Sequence, residues 1–400
     1  MSRPYNINMV LEKSAPMQMQ QIHHFENIIV GGGITGTAAA YFLAKEGNEV
    51  ALCEQFDLNT QASGRNAGSL HGQIQFDPFH TLGFEWGKSF LPALRFLADS
   101  LDIWSNLSTD LETDLEVFRG GGLLVAETKE EMALLATKVE LEQSIGIAAE
   151  LLDGNQLRQK APYIAEKMLG AAFSPIEGKA NPLLAAPAFA KAAKKHGAKI
   201  FTGVEVFTIT KDGNGYRLVT SAGDFTCKNI LLTSNAGLTK LGANFGLSLP
   251  ITDEPVQVSV SEIVSPFVKH LIYFSGERLT FKQAKSGSLL IGGGWPARIN
   301  AEGVPVLNPD SLRGNMRVAI KVVPSISAIK IIRTWIGVGN GTPDHRPIIG
   351  EVAGYKGVFI GMFPGMGLTA GPLLGKTLAQ LATGQLIDRN LEAFSISRFH

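Results

Sequence analysis

A short apolar strand followed by a cluster of glycines near the amino terminus constrains this chain more than any other feature. Residues 27–40 read Asn-Ile-Ile-Val-Gly-Gly-Gly-Ile-Thr-Gly-Thr-Ala-Ala-Ala, which predicts a buried strand, a tight turn and the first turns of a helix. Gly31 permits the sharp turn, Gly33 lets the main chain approach a pyrophosphate, and Gly36 lets the helix pack closely on the strand. Because the positive end of such a helix attracts phosphates, the pattern predicts a dinucleotide site.

A second strand and an acidic residue support this interpretation. Residues 49–53 (Glu-Val-Ala-Leu-Cys) lead to Glu54, and 17 residues separate Gly36 from Glu54, close to the spacing of an acid that binds ribose hydroxyls. Gln55 follows where an arginine would favour a 2′-phosphate, so the nucleotide is predicted to lack that phosphate. A glycine turn that binds no nucleotide is the alternative interpretation, because glycine-rich turns are common.

Composition argues against several classes of protein. At 400 residues two domains are expected, and the equal counts of 36 basic and 36 acidic side chains argue against nucleic acid as a partner. No apolar run approaches the ~18 residues of a membrane span, so no transmembrane segment is predicted. Two isolated cysteines, Cys53 and Cys227, are typical of the reducing cytoplasm. The His23–His24 pair lacks neighbouring metal ligands, so we favour a solvated pair and predict no metal site.

The order of the predicted elements indicates two interleaved domains after a flexible arm of residues 1–24. Alternating strands and helices at both ends and in the middle of the chain are typical of one domain assembled from three segments. This nucleotide-binding domain is expected to combine residues 25–85, 180–252 and 333–400. The strand-rich segments between them, residues 86–179 and 253–332, are expected to form the substrate domain.

Four further motifs carry a resemblance to a known family. They are the loop 63–71 (Ser-Gly-Arg-Asn-Ala-Gly-Ser-Leu-His), the strand 230–234 running into Asn-Ala-Gly, the stretch 334–350 with Thr-Pro-Asp and Pro-Ile-Ile-Gly, and the loop 361–369 (Gly-Met-Phe-Pro-Gly-Met-Gly-Leu-Thr). In order and spacing the chain resembles the D-amino-acid-oxidase-like FAD oxidoreductases from about residue 28 to 385. That family includes glycine oxidase, sarcosine oxidase, D-amino acid dehydrogenase and the flavin subunits of opine and hydroxyproline dehydrogenases. The amino-acid sequence of residues 66–71 is most similar to that of the opine-oxidase type of flavin subunit.

The resemblance implies an α/β fold: a Rossmann-like FAD-binding domain of the glutathione-reductase type with an inserted α+β substrate domain on a mostly antiparallel sheet. It also implies FAD as the cofactor. Neither cysteine lies near the carboxy-terminal region where some flavoenzymes attach the flavin, so we expect non-covalent binding. The residues expected to hold the cofactor are Gly31, Gly33, Ile34, Thr35, Gly36, Glu54, Gln55, Ser63, Arg65, Asn66, Ala67, Gly68, Ser69, Leu70, Val206, Ser234, Asn235, Gly237, Gly339, Gly365, Met366, Gly367, Leu368 and Thr369.

The loop 361–369 also has a physical reason to face a flavin. A helix that begins near Leu368 would direct its positive end at this loop, and a reduced flavin carries negative charge near N1 and the C2 carbonyl. A helix end of this kind contributes about 1 kcal/mol or more when partly buried. An ordinary connection between a strand and a helix is the alternative interpretation of this motif alone.

One position departs from the family pattern. Relatives that oxidise amino acids often carry Trp-Ala-Gly-Leu-Arg-Pro-Gly-Thr-Pro-Asp, whose arginine holds the substrate carboxylate, and here Gly339 takes its place. Since a bidentate partner is lost, either another cation serves or the substrate is not a simple amino acid. Arg65 is our first candidate for that cation and Arg346 the second. Structural or solvated roles are favoured for Arg278 and Arg298.

Three other side chains are candidates for the reaction itself. His71 lies in the predicted flavin loop, where it either handles protons or bonds to the flavin or the backbone. Tyr273 lies in the strand block where relatives place an aromatic residue that faces the substrate. His345 is more often a loop histidine than a catalyst at such a position.

We therefore expect oxidation of an amine or amino acid at the C–H next to nitrogen, by hydride transfer to flavin N5, followed by hydrolysis of the imine. The expected substrates are D-amino acids, N-alkyl amino acids, opines, proline and hydroxyproline. Oxygen, a quinone and partner subunits of a hetero-oligomer all stay open as electron acceptors, and a quinone would bring a cytoplasmic protein to the membrane surface. The alternatives are an NAD-linked dehydrogenase and an FAD-binding subunit that is non-catalytic or only transfers electrons.

Overall fold

The computed structural model describes residues 22–399, in which two large sheets contain most of the strands. The strands are β1 (Ile22–Val30), β2 (Val50–Glu54), β3 (Ser69–Leu70), β4 (Gly122–Ala126), β5 (Glu150–Asp153), β6 (Gly170–Ser174), β7 (Gly178–Lys179), β8 (Lys199–Thr202), β9 (Val206–Asp212), β10 (Gly215–Thr220), β11 (Gly223–Leu232), β12 (Thr252–Ile263), β13 (Leu271–Phe274), β14 (Thr280–Gln283), β15 (Ser288–Gly292), β16 (Arg298–Ile299), β17 (Pro305–Val306), β18 (Ile331–Gly341), β19 (Ile348–Glu351) and β20 (Val358–Met362). The helices are α1 (Ile34–Lys45), α2 (Ala62–Arg65), α3 (Phe76–Asp110), α4 (Lys129–Ser144), α5 (Gly154–Lys160), α6 (Ala185–Lys195), α7 (Gly237–Gly242), α8 (Pro309–Val322) and α9 (Gly367–Thr383), with 3₁₀ turns at Ala243–Phe245, Pro324–Ile326, Glu392–Phe394 and Ile396–Phe399.

The first sheet has a parallel core built around the strand that precedes the glycine motif. Its order is β19-β20-β11-β1-β2-β8, with parallel pairing from β20 to β8 and antiparallel β19 at one edge. In the central strand, Ile28 pairs with Ile230 and Ile29 pairs with Leu52, and all four side chains are fully buried. Strands covered on both faces require such continuous apolar runs, which is why these segments form the centre of the sheet. The predicted α/β nucleotide-binding layer is confirmed.

Helices α1 and α9 pack against each other through small residues. A Cβ atom at Gly375 would lie 2.6 Å from the Cβ of Ala38, and one at Gly371 would lie 2.5 Å from the Cγ2 of Ile34. A step of four residues along α1, from Ile34 to Ala38, corresponds to a step of four residues along α9, from Gly371 to Gly375. The helices therefore run in the same direction, and their amino ends lie together. The positive ends of both helices therefore point to the same side of the first sheet.

The second sheet is mostly antiparallel. Its order is β18-β12-β15-β14-β13-β4-β6-β5, and its pairs are antiparallel except for β4 with β13. On one face, Val318 and Val322 of α8 pack into a core with Leu289 and Ile291 of β15. On the other face, Leu135 of α4 packs near Leu124 of β4, so both faces of this part of the sheet are covered. The predicted, mostly antiparallel second sheet is confirmed.

Residues 86–110, which the sequence assigns to the substrate domain, pack on the first layer instead. They form most of α3, whose helical path is broken at Gly83 (φ 83°). Ser100 Oγ and Trp104 Nε1 both donate to the backbone carbonyl of Thr369 in α9, at 2.6 and 3.0 Å. Since these bonds and the apolar face of α3 meet α9, this helix covers the nucleotide-binding layer.

Two further limits fall at different residues than the sequence predicts. Residues 333–341 belong to the second sheet because β18 pairs with β12, with Gly337 opposite Val256. At the amino end, Ile22–His24 form the start of β1, where the ring centroids of His23 and Phe225 are 4.8 Å apart. His24 Nδ1 lies 2.5 Å from Thr226 Oγ1, so these residues are held by strand pairing and ring packing. The rest of the predicted arm, residues 1–21, lies outside the described residues, and the division into two domains stays a proposal.

Residues 22–399 lack two features, one that would indicate a membrane span and one that would indicate a metal site. None of the helices in this range combines the length and apolar character that crossing a lipid bilayer requires. Nor does this range bring three His, Cys, Asp or Glu side chains together in an arrangement that could hold a metal ion.

The seam between α1 and α9 leads to a stability prediction. Replacing Gly375 with Ala forces a methyl group against Ala38 and the backbone of α1, so the free energy of unfolding is expected to fall by about 1–3 kcal/mol. Urea denaturation of the two proteins measures this change. Lys376→Ala is the matched control, because Lys376 is the exposed neighbour and should change stability by less than about 0.5 kcal/mol. Equal stability of the two variants would contradict the close packing.

Candidate functional site

A cavity of about 1060 Å³ lies between the carboxyl ends of the parallel strands and the second sheet. It is reached by Val30 at the end of β1, Glu54 at the end of β2, and Thr233 just after β11. The opposite wall comes from β13 and β18, through Tyr273 and Gly339. In open α/β sheets ligands bind outside the carboxyl ends of the strands, which is where this cavity opens.

The glycine motif forms one end of the cavity. Gly31 has φ of 115°, and a Cβ atom there would lie 2.9 Å from the backbone of Thr233. The Gly36 Cβ position is 1.9 Å from the carbonyl oxygen of Gly31, so only glycine allows α1 to begin so near the turn. Gly33 precedes α1 and has no side chain to cap it, which leaves the amino end of the helix suited to an anion. A pyrophosphate fits this turn for the reasons predicted from the sequence.

Glu54 lies at the same end of the cavity with its carboxylate held in place. Oε2 accepts a hydrogen bond from the Gly32 N–H at 2.6 Å, and Oε1 accepts one from the Phe56 N–H at 2.8 Å. A carboxylate has about four lone-pair sites, so two of them stay available for ribose hydroxyls. Gln55 also lines the cavity and places no cation beside Glu54.

The loop 61–71 and the carboxy-terminal loop form the other end of the cavity. Asn66 shapes the first loop, because its Nδ2 donates to the Ser63 carbonyl at 2.6 Å and its Oδ1 accepts from the Gly68 N–H at 2.8 Å. Thr369 Oγ1 accepts a hydrogen bond from the His71 N–H at 2.9 Å. Since α9 begins at Gly367, this contact fixes the first loop beside the positive end of a 17-residue helix.

Most of the predicted cofactor residues line this cavity, and four do not. Gly36, Gly68, Leu70 and Thr369 do not line it; Gly36 lies against the glycine turn, and the other three belong to the two loops. Gly68, for example, has φ of 76°, and a Cβ atom there would meet the Ala180 carbonyl oxygen at 2.3 Å. The predicted residues that do line the cavity are Gly31, Gly33, Ile34, Thr35, Glu54, Gln55, Ser63, Arg65, Asn66, Ala67, Ser69, Val206, Ser234, Asn235, Gly237, Gly339, Gly365, Met366, Gly367 and Leu368.

Two buried polar atoms at the cavity have no partner within the described part of the chain. They are Ser234 Oγ and Asn59 Oδ1, on residues that line the cavity. Buried polar atoms are nearly always bonded, so these atoms indicate a polar ligand. Together with the glycine turn and Glu54, they are compatible with FAD, for which Glu54 would be the candidate to hold the ribose, residues 31–35 the pyrophosphate, and residues 63–71 and 365–368 the ring system.

Of the arginines considered for a substrate carboxylate, Arg65 lies at the cavity and Arg346 does not. The Arg65 Nε donates to the Thr60 carbonyl at 2.7 Å, and within residues 22–399 no carboxylate pairs with its guanidinium. Arg346 is excluded, because its guanidinium forms an ion pair with Asp344 at 2.9 Å outside the cavity wall. Although burial of Asp344 opposes it, hydrogen bonds from Arg398 and the charge of Arg346 lower the pKa of this carboxyl. The sequence could not identify the contact of Arg398 with Asp344, because the two residues are 54 positions apart.

The two other arginines are paired or exposed, as the sequence predicts. Arg278 lines the cavity but lies 3.2 Å from Asp77 Oδ2, and it also donates to the Gly294 carbonyl. Arg298 is exposed in β16 and does not line the cavity. His345 lines the cavity with φ of 55°, beside the ring of Trp86.

His71 and Tyr273 meet at the wall between the two sheets. His71 Nδ1 lies 2.8 Å from Tyr273 Oη, and Tyr273 donates to Glu177 Oε1 at 3.1 Å. Burial lowers the pKa of His71 to about 3, and the nearby Lys282 acts in the same direction. Burial, followed by the charge of Glu177, raises the pKa of Tyr273. The sequence identified His71 and Tyr273 separately but not as a pair.

Glu177 and the buried Lys282 are functional candidates that sequence reasoning missed. Glu177 accepts hydrogen bonds from the Gly72 N–H and from Gln73 Nε2, both at 2.7 Å, and burial raises its pKa to about 7. Lys282 donates to Ser69 Oγ at 2.7 Å, and burial lowers its pKa to about 7. A single acid in a turn and a single lysine in an apolar strand have no pattern in sequence, so only the fold shows that Glu177 lines the cavity and that Lys282 lies behind it, against Ser69.

The position of Glu54 gives a cofactor prediction. Glu54→Ala removes an acceptor for ribose hydroxyls, so the Kd for FAD should rise roughly 10–100-fold, which corresponds to a hydrogen bond of about 1.5–3 kcal/mol to a charged group. Titration of FAD into stripped protein, followed by quenching of flavin fluorescence, measures the Kd. Glu49→Ala is the control, since Glu49 is exposed at the opposite end of the same strand region. Equal affinity in the two variants would show that Glu54 does not hold the ribose.

Comparison with known proteins agrees with this geometry. The family model described as FAD dependent oxidoreductase matches residues 27–381. Glycine oxidase of Geobacillus kaustophilus is 29% identical over 94% of this chain and 97% of its own length. The beta subunit of sarcosine oxidase from Arthrobacter sp. is 26% identical over 92% and 93%, and a subunit of opine oxidase from Rhizobium meliloti is 24% identical over 94% and 98%.

Solved structures show the same fold. The crystal structure of glycine oxidase from Geobacillus kaustophilus superposes with a TM-score of 0.82 at 26% identity, over 94% of this chain and 99% of that chain. The structure of L-proline dehydrogenase from P. horikoshii superposes with a TM-score of 0.85 at 22% identity, over 95% and 98%. The residues matched by the family model include the glycine turn, Glu54 and the carboxy-terminal loop. The chain therefore belongs to the DAO family of FAD-dependent oxidoreductases, which act on amino groups bonded to carbon.

Proposed function

We propose that this protein oxidises an amine or amino acid at the C–H bond next to nitrogen. When bound, FAD supplies the chemistry by accepting a hydride from that carbon. The observation that carries the proposal is the meeting of His71 and Tyr273, 2.8 Å apart, at the cavity wall between the predicted flavin loop and the second sheet. A substrate beside this pair lies between the cofactor-binding layer and a polar, half-buried wall that limits access of water.

The space at residue 339 supports a substrate larger than glycine. A Cβ atom at Gly339 would lie 3.6 Å from the Glu254 carbonyl oxygen, which is an ordinary contact, so this position is open where relatives carry an arginine. We therefore propose a D-amino acid, an N-alkyl amino acid, an opine, proline or hydroxyproline as the substrate. Arg65, at the cavity and without a carboxylate partner among the described residues, is our proposed partner for a substrate carboxylate.

We further propose that FAD is bound non-covalently and that the protein assembles with partner subunits. Burial raises the pKa of both thiols, Cys53 and Cys227, to about 12, so neither is a reactive thiolate and we propose non-covalent FAD. Both thiols are free, which is typical of a cytoplasmic protein. Two of the relatives are named as subunits, one of sarcosine oxidase and one of opine oxidase, and this supports assembly with partner subunits.

Anaerobic reduction tests the proposed function. The purified holoenzyme is mixed without oxygen with proline, hydroxyproline, sarcosine, D-amino acids and opines, and the visible absorbance band of FAD is recorded. At least one of these amines should bleach the band, because hydride transfer reduces the flavin. If dithionite bleaches the band and no amine does, the protein is an FAD-binding subunit without this activity. A protein that carries no FAD would contradict both interpretations.

Gly339 gives a second test. Gly339→Arg should restore a cation for a carboxylate and lower the KM for small amino acids such as glycine or sarcosine by roughly 10–100-fold, as expected for a charge-assisted bidentate pair. Gly339→Met is the control, because it adds a side chain of similar length without charge. Steady-state rates with a dye acceptor measure KM for both variants. If Arg and Met have the same effect, residue 339 does not face the substrate carboxylate.

A further inference from the structure

Glu177 is a buried carboxylate that lines the cavity. Its side chain is 1% exposed and follows β6 in the turn that leads to β7. Three donors converge on it: the Gly72 N–H and Gln73 Nε2 at 2.7 Å each, and Tyr273 Oη at 3.1 Å. A fully buried carboxylate is costly unless it is bonded in this way, so its presence here indicates a purpose beyond packing.

The hydrogen bonds fix where the protons lie. A lysine can only donate, so the Gln73 amide must direct its oxygen to Lys138 Nζ, at 2.8 Å, and its nitrogen to Glu177. Tyr273 has one hydroxyl proton, and when that proton is donated to Glu177 the phenol oxygen accepts from His71. The His71 proton is then on Nδ1, which leaves Nε2 as an unprotonated base on a ring that lines the cavity.

We propose that Glu177 is the final acceptor of the proton that a substrate ammonium group must lose before oxidation, and that His71 and Tyr273 carry this proton to it. The inference rests on the proposed function, since only the neutral amine can donate a hydride from the adjacent carbon. In the step, the ammonium N–H bond breaks and an Nε2–H bond forms on His71. The Nδ1 proton passes to Tyr273 Oη, and the Tyr273 hydroxyl proton passes to Glu177 Oε1. The products are a neutral amine and a neutral carboxylic acid, so the total charge of the buried site is unchanged.

The charges around Glu177 are compatible with this role. Burial raises the pKa of Glu177 to about 7, while its hydrogen bonds and the charge of Lys138 act to lower it, so the group can change protonation near neutral pH. Lys138 comes from α4 and is itself paired with Glu142 at 2.6 Å. From the other side, Lys282 in β14 lies near His71, and Lys179 in β7 lies near Lys282.

His71 is suited to pass a proton on and not to keep it. Its pKa of about 3 reflects burial and the neighbouring Lys282, so an imidazolium is unfavourable at neutral pH. Tyr273 has a pKa above its usual range, so its anion is unfavourable as well. A proton that enters at His71 is therefore passed to Glu177, which is the only one of these three groups that can take up an additional proton near neutral pH.

A second histidine–tyrosine pair in the same structure provides a matched control. Tyr163 Oη lies 2.6 Å from His270 Nδ1, and it also accepts a hydrogen bond from the His270 backbone N–H at 3.4 Å. Neither residue lines the cavity, and the hydrogen bonds of this pair do not lead to a carboxylate among the described residues. Tyr163→Phe thus removes an equivalent hydroxyl without touching the proposed proton path.

The test measures flavin reduction in the holoenzyme as a function of pH, using the amine that bleaches FAD most rapidly. In the wild-type protein the second-order rate of reduction should rise until Glu177 is ionised, near pH 7, and then stay level. In Glu177→Gln the substrate must bind as its neutral form, so the rate should keep rising about tenfold per pH unit up to the pKa of the amine, about 10. At pH 7 the variant should be roughly 10²–10³-fold slower, and at alkaline pH the two rates should converge.

Tyr273→Phe should show the same continued rise, and Tyr163→Phe should keep the wild-type profile.

A second measurement does not depend on turnover. Calorimetric binding is carried out in two buffers with different ionisation enthalpies, with an analogue of the amine that carries no hydrogen on the carbon to be oxidised. At pH above 7, binding should release no proton from wild-type protein and about one proton from Glu177→Gln.

The outcomes separate this inference from the proposed function. If no amine reduces the wild-type flavin, the proposed function is wrong and the proton path is wrong with it. If amines reduce the flavin and both Glu177→Gln and Tyr273→Phe keep the wild-type pH profile and proton count, only the proton path is overturned. A rate lowered equally at every pH would also overturn it, because a purely structural role has that effect. If Glu177→Gln does not fold, Tyr273→Phe alone decides between these results.

Discussion

The close contact between α1 and α9 is the constraint on which the rest of the site depends. Gly371 and Gly375 meet the first turns of α1 where no side chain fits, so the two helices lie side by side with their amino ends together. Two positive helix ends therefore point to one cavity, which favours a ligand that carries negative charge at two places. The glycine turn of residues 31–33 and the loop of residues 363–366 come from opposite ends of the chain and share a wall only because of this packing.

A buried polar cluster connects the two layers and determines how they meet. Gly72 and Gln73 follow the flavin loop, Glu177 comes from the turn after β6, and Lys138 comes from α4. Each of these groups would be costly to bury alone, and together they satisfy one another. Apolar faces alone would allow the second sheet to shift over the first layer. The directional bonds to Glu177 oppose such a shift, so the same contacts that orient the sheets also shape the wall of the cavity.

The parts of the structure that sequence reasoning recovered are local ones. The turn at Gly31 and the acid at Glu54 belong to one strand–helix–strand unit, so the spacing of these residues in the sequence predicts their roles. Sequence reasoning missed Glu177 because its role depends on a hydrogen bond with Tyr273, which lies 96 residues away. Helix α3 and strand β18 pack on other layers than the sequence predicts for a similar reason, because distant segments determine the partner of an apolar helix or strand. From sequence Arg346 is a second candidate for the substrate carboxylate, because its position away from the cavity and the contact of Asp344 with Arg398 follow only from the fold.

In strand β18, the main-chain contacts that stabilise the sheet do not depend on which side chain faces the cavity at residue 339. The main chain of β18 pairs with β12 along its whole length, and Gly339 stands opposite Glu254 in that ladder. Backbone hydrogen bonds of this kind form whatever side chain the residue carries. Because the position opens into the cavity without close neighbours, residue 339 is free to change between related enzymes while the sheet persists. Under our proposal that residue 339 faces the substrate, one substitution there would change the preference for one amine over another and leave the sheet unaltered.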